Sequence, residues 1–568
     1  MKRILTQGFG AALCALLAAP LGLQAQTWQW LTTQPRTGGT SQITASALDA
    51  SGNIVVAGTI SGTVVLGTTL LTSAGGQDLF VGRLSPSGTW LQAASAGGAA
   101  SDYPTKVAVD NMGNIVVTGR FASPTLDFGT AFTLTNAGPS TTNDIFVACL
   151  NAAGQWTQAI GVGGPGNDEP RGLALDAAGR ATVAGFFLSP TLTLGSLTLT
   201  NASAAGLSAD IFVARLSAAG QWTEAVRAGG IDHDNILDLV QDAAGTAYVA
   251  GIFTSASVAF GPTTLTNADA SRVTFDAFVA KLTLGGAAGT GGTWTQAVRA
   301  GGAQSNDQFN ALAVDGNGNV VVTGLYQGGA STIGTTTLSA PAPGVNYDPL
   351  VARLSAGGTW TQAVRATSSS LCYPTTVALD TDGNATIAGQ LAGPTAQFGT
   401  VALDHPNSTG VDVFVARLST AGVWTYGVRA GGNATDGANN VILTGTSAIV
   451  SGFIGATASG PFGFGSLPVD ASSTTCFVGR LGGLVNATTG PRVREPLSLA
   501  PNPARELVRL HLGAAAGPEV VVTDALGRPV RRVAVPAHAS TAMLDVRGLP
   551  AGVYGVRCGA AGGRLVVE

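Results

Sequence analysis

Short apolar runs rich in Val, Ile, Phe and Thr follow one another along most of the chain, each bounded by Gly, Asp or Asn. Runs of this kind predict strands separated by tight turns. They fall into three recurring segments. One is led by tryptophan, as in GQWTQAIGVGG (154–164), and recurs at Trp30, Trp90, Trp156, Trp222, Trp294, Trp360 and Trp424, with gaps of 60, 66, 66, 72, 66 and 64 residues. A second, of the form LDASGNIVVAG, recurs from Asp49, Asp110, Asp176, Asp242, Asp315 and Asp380, with a degenerate copy at Val441–Gly452. The third, DIFVARL, starts at Asp78, Asp144, Asp210, Asp276, Asp348 and Asp412, with a seventh copy, CFVGRL, at 476–481.

Asp-x-x-Gly-Asn joins two apolar runs, and its glycine supplies the positive φ of a tight hairpin. One repeat then predicts four strands: a (ALAVD), b (GNVVVTG), c (DIFVARL) and d (GTWTQAVRA). A four-stranded unit repeated in a ring is a propeller blade. The repeats are out of phase with the chain, which opens on a d segment at Trp30 and ends its repeats on a, b and c. The first strand is therefore expected to complete the last blade, near Phe477 and Val478, and to remove the free edges. Packing between neighbours lets a blade be apolar on both faces. The b–c segment holds a further motif, such as LTLGSLTLT (192–200), read as an extra hairpin or extended loop. Its equivalent turns fall at Gly67, Gly129, Gly195, Gly261, Gly334, Gly399 and Gly465.

Composition sharpens this picture. Charged residues make up 11% of the 568, 45% are apolar, and glycine alone numbers 80. Disorder and general nucleic-acid binding are both disfavoured, the second because the net charge is −4. Four histidines leave little room for imidazole chemistry. Residues 1–25 read as a secretory signal: Lys2 and Arg3, an apolar stretch from Ala11 to Leu23 broken by Pro20, and Ala25 at the cleavage position. That stretch is too short and broken for a transmembrane anchor. Cys149, Cys372, Cys476 and Cys558 show no metal-ligand spacing, and an exported chain permits a disulfide among them that spacing does not assign. Past residue 481 the composition shifts. Ten Arg face six acids from residue 491 on, against sixteen Lys or Arg and twenty-six acids in 26–490. The strand-like runs at 497–512, 520–533, 544–558 and 564–568 predict a small β-sandwich.

The motifs D-x-FVARL, G-x-W, AGG and D-x-x-G-N-x-VV-x-G resemble the SBBP-type β-propeller repeats of exported bacterial proteins, over roughly 27–481. The carboxyl-terminal segment resembles the type A sorting domain of the type IX secretion system. The matching residues are Pro501-Asn502-Pro503, Asp524 with Gly527-Arg528, and Leu549-Pro550-Ala551-Gly552-Val553-Tyr554. The second resemblance implies a Gram-negative bacterium, passage across the outer membrane by the type IX machinery, and removal of the domain on export. The expected layout is a signal peptide (1–25), an all-β seven-bladed propeller closed by its first strand (26–485), a linker (486–495) and an Ig-like sorting sandwich (496–568).

Candidate chemistry is sparse. An Asp recurs between strand d and the next a: Asp102, Asp168, Asp234, Asp307 and Asp436, with Cys372 at the sixth place. At the mouth of a central channel, such a ring of carboxylates would suit Ca²⁺; the plainer expectation is that each Asp caps its loop through backbone N–H groups. The Asp of D-x-x-G-N reads as a turn residue, and Arg227, Arg299, Arg365 and Arg429 as a solvated outer edge. His233 has acidic neighbours but no motif, nor has His405. No GxSxG, HExxH or P-loop pattern occurs. The function expected is binding or adhesion at the cell surface or outside the cell, with no required cofactor and with extracellular polysaccharide or matrix protein as partner. The alternative is a secreted glycoside hydrolase or lyase. It needs an acidic pair that breaks the repeat, and Asp168-Glu169 is the nearest case.

Overall fold

The computed structural model describes residues 27–483 and 498–568, apart from 35–37, 140, 204–205, 207, 286–290, 340–346, 405–409, 457–461, 466, 470–472, 512–518, 525–528, 537–538, 540 and 559–560. The signal-peptide expectation and His405 thus lie outside the described residues. Every named element is a β-strand. The chain separates into two compact units, one ending at Leu484 and the other beginning at Val485.

Among the described residues, the first unit contains seven four-stranded antiparallel sheets. In the third, Asp168–Leu175, Ala181–Phe187, Asp210–Leu216 and Trp222–Ala228 pair in chain order. These strands are named a to d. The sheets are numbered 1 to 7 by their a strands: Thr40–Leu48, Asp102–Val109, Asp168–Leu175, Asp234–Gln241, Ser305–Val314, Cys372–Leu379 and Gly437–Thr444. Each a strand lies beside the next, and the seventh returns to the first. The result is a closed, propeller-like ring with the a strands around its axis.

Seven equivalent backbone hydrogen bonds tie sheet to sheet. The N–H groups of Ser41, Asp102, Asp168, Asp234, Asp307, Cys372 and Asp436 donate to the carbonyls of Thr474, Gln77, Asn143, Ala209, Phe275, Tyr347 and Val411, at 2.6–3.4 Å. Apolar residues on both faces of strands b and c explain the continuous hydrophobic runs. Ile211 and Val213 pack into one core with Val249 and Phe278 of sheet 4. Their neighbours Phe212 and Ala214 pack on the other face with Ile145 and Val147 of sheet 2. Full burial of each such large side chain contributes about 1.5–3 kcal/mol.

The ring closes where Thr27–Thr33 pairs with Thr475–Gly482. The closure is the expected one, but the repeat tryptophan of this strand is Trp28 and not Trp30. Trp28, opposite Leu481, holds the place that Trp90 and Trp222 hold opposite Leu84 and Leu216. The strand pairs where expected, Thr32 opposite Val478 and Thr33 opposite Phe477, while Trp30 falls beyond a bulge and pairs with Arg480. The indole of Trp28 is buried edge-on against Phe464 at 4.6 Å. The sequence places the repeat tryptophan at Trp30, and packing selects Trp28, two positions earlier.

Each b–c segment contains a two-stranded hairpin, such as Thr191–Leu194 with Leu197–Thr200. All seven turn glycines have φ between 57° and 63°, a region that only glycine adopts freely. The hairpins bring an aromatic ring onto the strand-d tryptophan: Phe128 on Trp156 at 4.9 Å, Phe260 on Trp294 at 5.0 Å and Phe398 on Trp424 at 4.9 Å. They pack against the outermost strands, which would otherwise present bare edges.

The second unit has a three-stranded sheet (Ser498–Ala500, Leu507–His511, Thr541–Asp545) and a four-stranded one in the order Pro529–Ala534, Glu519–Thr523, Gly552–Cys558, Ala561–Val567. Val508, Leu510, Val520, Val522, Leu544, Tyr554, Val556 and Leu565 form its core. Here the motif residues have local structural roles. Asn502, between the exposed Pro501 and Pro503, accepts the Val566 N–H at 2.8 Å. The buried Tyr554 donates its hydroxyl to the Pro550 carbonyl at 2.7 Å, and the Leu549 N–H closes a turn onto Val546 at 3.1 Å. Gly552 opens the following strand and Asp524 follows Glu519–Thr523, while Gly527 and Arg528 lie outside the described residues.

Candidate functional site

Two sets of aspartates meet where the sheets join. Asp102, Asp168, Asp234, Asp307 and Asp436 are buried, each 0–1% exposed. Asp102, Asp168 and Asp234 each accept the hydroxyl of Ser123, Ser189 or Ser255 at 2.7–2.8 Å. Asp307 is bonded to Ser305 and Asp436 to the Gly455 N–H. The second set, Asp78, Asp144, Asp210, Asp276, Asp348 and Asp412, opens strand c of sheets 1 to 6 and is buried to 0–2%. Each faces the next sheet's a strand, so the junctions pair Asp78 with Asp102, Asp144 with Asp168, Asp210 with Asp234, Asp276 with Asp307 and Asp412 with Asp436. Burial pushes Asp102, Asp168 and Asp307 up to about 6, and Asp234 and Asp436 up to about 7; the facing carboxylate adds to the rise. The expected ring at the mouth is therefore a set of buried inter-sheet pairs.

These junctions explain the AGG of the repeat. A Cβ on its first glycine would stand 2.0–2.2 Å from the strand-c carboxylate at Gly97, Gly163, Gly229, Gly301 and Gly431. A Cβ on the second would meet the serine, as at Gly98, Gly164 and Gly230. They also correct the expectation for the arginines. Arg299 and Arg429 reach Asp276 and Asp412 at 2.7 and 2.6 Å, Arg227 pairs with Asp210, and Arg365 stands 3.8 Å from Asp348. Each offsets a buried carboxylate of its own sheet, which a solvated edge would not do. The D-x-x-G-N aspartate is a turn residue. Asp49 accepts the N–H groups of Ser51 and Asn53, both at 2.9 Å, and the Asn53 amide at 2.8 Å.

One residue beyond the buried Asp, the repeat ends. Gln42, Tyr103, Glu169, Asn235, Gln308, Tyr373 and Gly437 occupy this place in sheets 1 to 7. Opposite them on strand b stand Thr59, Arg120, Phe186, Ile252, Leu325, Gln390 and Phe453. Contacts here run between sheets: Arg120 to Glu169 at 2.6 Å, and Gln308 to the Tyr373 hydroxyl at 3.1 Å. Arg171 completes a triad, its Nη2 3.0 Å from Glu169. The Arg120 guanidinium lies 5.0 Å over the Tyr103 ring, and that of Arg171 5.3 Å over Phe186.

A bulge follows in every a strand. Its residue bonds the next sheet's carbonyl in four cases: Thr44 to Pro104, Asn310 to Pro374, Thr375 to Ala438 and Asn439 to Ile43, at 2.7–2.9 Å. Sheets 2 to 4 depart from this girdle. Thr105 turns back to Thr118 of its own sheet, and Arg171 and Leu237 take the next two places. Lys106 of sheet 2 instead reaches past sheet 3 to Asp238 of sheet 4 at 2.7 Å, and Asp238 accepts the Leu312 N–H of sheet 5 at 3.1 Å. Gly172 leaves the room, since a Cβ there would stand 2.3 Å from Cβ of Leu239. This unlike quarter was missed in the sequence, although its signal was there: the residue after the repeated Asp differs in adjacent copies.

A concavity of about 850 Å³ lies between sheets 5 and 6, lined by Asp315, Asn319, Arg353, Asp380 and Thr420. Asp315, Asn319 and Asp380 are repeated turn residues. His233 accepts the Ala209 N–H at 3.2 Å in the loop before Asp234. Cys149, Cys372 and Cys476 are free thiols, and burial raises the pKa of each. Among the described residues no group of three or more His, Cys, Asp or Glu is placed to hold a metal, and no helix is long and apolar enough to cross a membrane.

Residues 498–567 match the family described as "Secretion system C-terminal sorting domain". This tail marks the chain for type IX secretion, and so for export to the cell surface or the medium. No curated protein matches the chain. Among solved structures, it is similar to a catalytically inactive virginiamycin B lyase from Staphylococcus aureus with quinupristin, at 8% identity, TM-score 0.32, over 80% of this chain and 99% of that one. It is also similar to the polysaccharide lyase Uly1, at 9% identity, TM-score 0.37, over 77% and 89%. A third is Sqt1 from Chaetomium thermophilum, at 9% identity, TM-score 0.36, over 73% and 95%. These likenesses concern the fold alone.

Proposed function

We propose that residues 26–485 form a seven-bladed β-propeller of the SBBP-repeat kind. The tail, 496–568, is an Ig-like sorting sandwich, joined by a linker at 486–495 and cleaved on export. The propeller binds an extracellular ligand at the axial face and performs no turnover. The observation that carries this reading is the contrast at the a strands, where a repeated, buried Asp is followed by a position that differs from sheet to sheet. Unlike side chains on a rigid ring make a recognition surface. The enzyme alternative needs a carboxylic acid set apart from a base. Asp168 is bonded to Ser189, and Glu169 is held between two arginines, so neither is free to exchange a proton with a substrate.

The reading requires no cofactor. A calcium ion at Asp102, Asp168, Asp234, Asp307 or Asp436 would have to displace the serine or backbone partners already there. Melting in millimolar calcium against chelator is expected to show no shift. Export is tested by deleting 498–568, which should hold the protein inside the cell, and by intact mass of the external form, which should lack the tail. Binding is tested by glycan and matrix-protein arrays on the exported protein, with turnover assays on the polymers it retains. Product formation abolished by Asp168→Asn or Glu169→Gln would favour the enzyme.

A further inference from the structure

The Arg120–Glu169–Arg171 group differs from an ordinary ion pair. Its carboxylate is 8% exposed, whereas the guanidiniums are 32% and 35% exposed. The buried acid thus backs two cations that face outward. Each arginine gives one N–H to one oxygen of Glu169. A guanidinium carries five N–H donors in a planar fork, so most of both forks is left over. Nε of Arg171 is buried without a hydrogen-bond partner. That is costly for a charged group, and burial lowers the Arg171 pKa despite Glu169. Nothing in the repeat demands it, because no other bulge position holds a charged residue, and four hold Thr or Asn engaged with the next sheet. Tyr103 and Phe186 lie under the two guanidiniums and limit their freedom to turn away. The triad carries two positive charges and one negative, leaving one positive charge for a ligand.

We infer that Arg120 and Arg171 form a carboxylate-binding subsite for an acidic polysaccharide, a uronate-bearing chain lying across the axial face. This rests on the reading of that face as a binding face. Guanidinium forks match a carboxylate with two parallel hydrogen bonds. Around them stand the neutral groups that sugar hydroxyls need. Asn143 and Asn167 adjoin Glu169, and Gln308 and Tyr373 lie across the axis. An acidic peptide would bring apolar side chains, for which this part of the face offers amides and a phenol. A repeating polymer also suits an exported protein, since many copies of a weak subsite contact sum to useful avidity.

The test is isothermal titration of the full chain with polygalacturonate, carboxyl-reduced polygalacturonate and dextran sulfate. Polygalacturonate should bind, weaken with added salt, and lose its affinity on carboxyl reduction. Arg120→Gln and Arg171→Gln should each weaken it about tenfold with the melting temperature unchanged. Arg171→Lys, which keeps the charge but loses the fork, should stay close to Arg171→Gln. Equal binding of the carboxyl-reduced polymer overturns the subsite. If Tyr373→Ala abolishes that binding, the axial face remains a binding face. Equal binding of dextran sulfate overturns the carboxylate assignment in favour of a general polyanion patch. Retention of acidic peptides but no polymer overturns the ligand class, and retention of nothing overturns both readings. The wild-type polymer comparison decides the matter even where a variant fails to fold.

Discussion

Asp168 and Glu169 are consecutive residues of one strand, and they belong to different orders in this molecule. The first has counterparts in four other sheets, each buried and engaged by a hydroxyl or a backbone N–H. The second has no carboxylate counterpart, and it holds two arginines on the ring axis, Arg171 from its own strand and Arg120 from strand b of sheet 2. A β-strand alternates faces, so one step along the chain moves from the sheet junction to the axis. Repetition in this protein marks what holds the ring together, and variation beside it marks what the ring has to offer.

The comparison breaks most visibly where the repeat itself lapses. At the junction of sheets 5 and 6 the glycines give way to Thr367 and Ser368, the a-strand Asp to Cys372, and the serine to Gly393. Four exchanges at one junction indicate that these residues form one unit. Cys372→Asp would place a carboxylate opposite Asp348 without its serine or its glycines. We expect a loss of about 3–5 kcal/mol at pH 8, the cost of an uncompensated buried charge, read by chemical denaturation. A loss under 1 kcal/mol would show that the junction residues act separately.

Asp210→Ala comes next. Asp210 is 0% exposed, accepts the Ala202 N–H at 2.7 Å and pairs with Arg227. Its removal strands a backbone donor and a guanidinium, for an expected loss of about 2–3 kcal/mol. The matching change on the axis, Asn235→Gln, should cost under about 1 kcal/mol. Equal losses at the two positions would dissolve the distinction between them.

Much of this was legible in the sequence. Strand runs, Asp-x-x-Gly-Asn turns and hairpin glycines are local features, and local chemistry fixes them. The four-strand unit followed from counting them. What stayed hidden depends on neighbours. Whether Trp28 or Trp30 fills the closing position is decided by Phe464 and the bulge in the first strand. Arg227 looked solvated because its partner, Asp210, is seventeen residues upstream on the next strand. The glycines of AGG are only a repeated motif in the sequence, and in the structure they leave room for a carboxylate of strand c and for the serine after strand b. Glu169 was visible as an acid breaking the repeat, but Arg120 comes from sheet 2, and no spacing along the chain connects the two.

The smallest effect concerns protons, and it separates the buried a-strand aspartates from the turn aspartates. Asp102, Asp168, Asp234, Asp307 and Asp436 are raised by burial to about 6–7, so the folded ring holds protons that the unfolded chain has released. Their stabilising contribution is fully present below the ordinary carboxylate range, about 4. It is lost as the pH rises through 6 to 7, because stability falls with pH wherever the folded state binds more protons. The turn aspartates Asp49, Asp176, Asp315 and Asp380 act in the opposite sense. Burial works against them, but hydrogen bonds from the residue four places on outweigh it and hold them low. Their contribution is lost below about pH 4. Together the two sets predict a melting temperature that peaks between about pH 4 and 5. Asp234 isolates the upper limb. It faces Asp210, which is paired with Arg227, and His233 stands beside it in the loop. An amide there imitates the protonated acid and can donate to Asp210. Asp234→Asn should therefore stabilise the protein by about 1–2 kcal/mol at pH 8 and leave it unchanged at pH 4.5. Equal effects at both values would mean that the carboxyl is ionised throughout, and that the serine and backbone hydrogen bonds alone hold the junction.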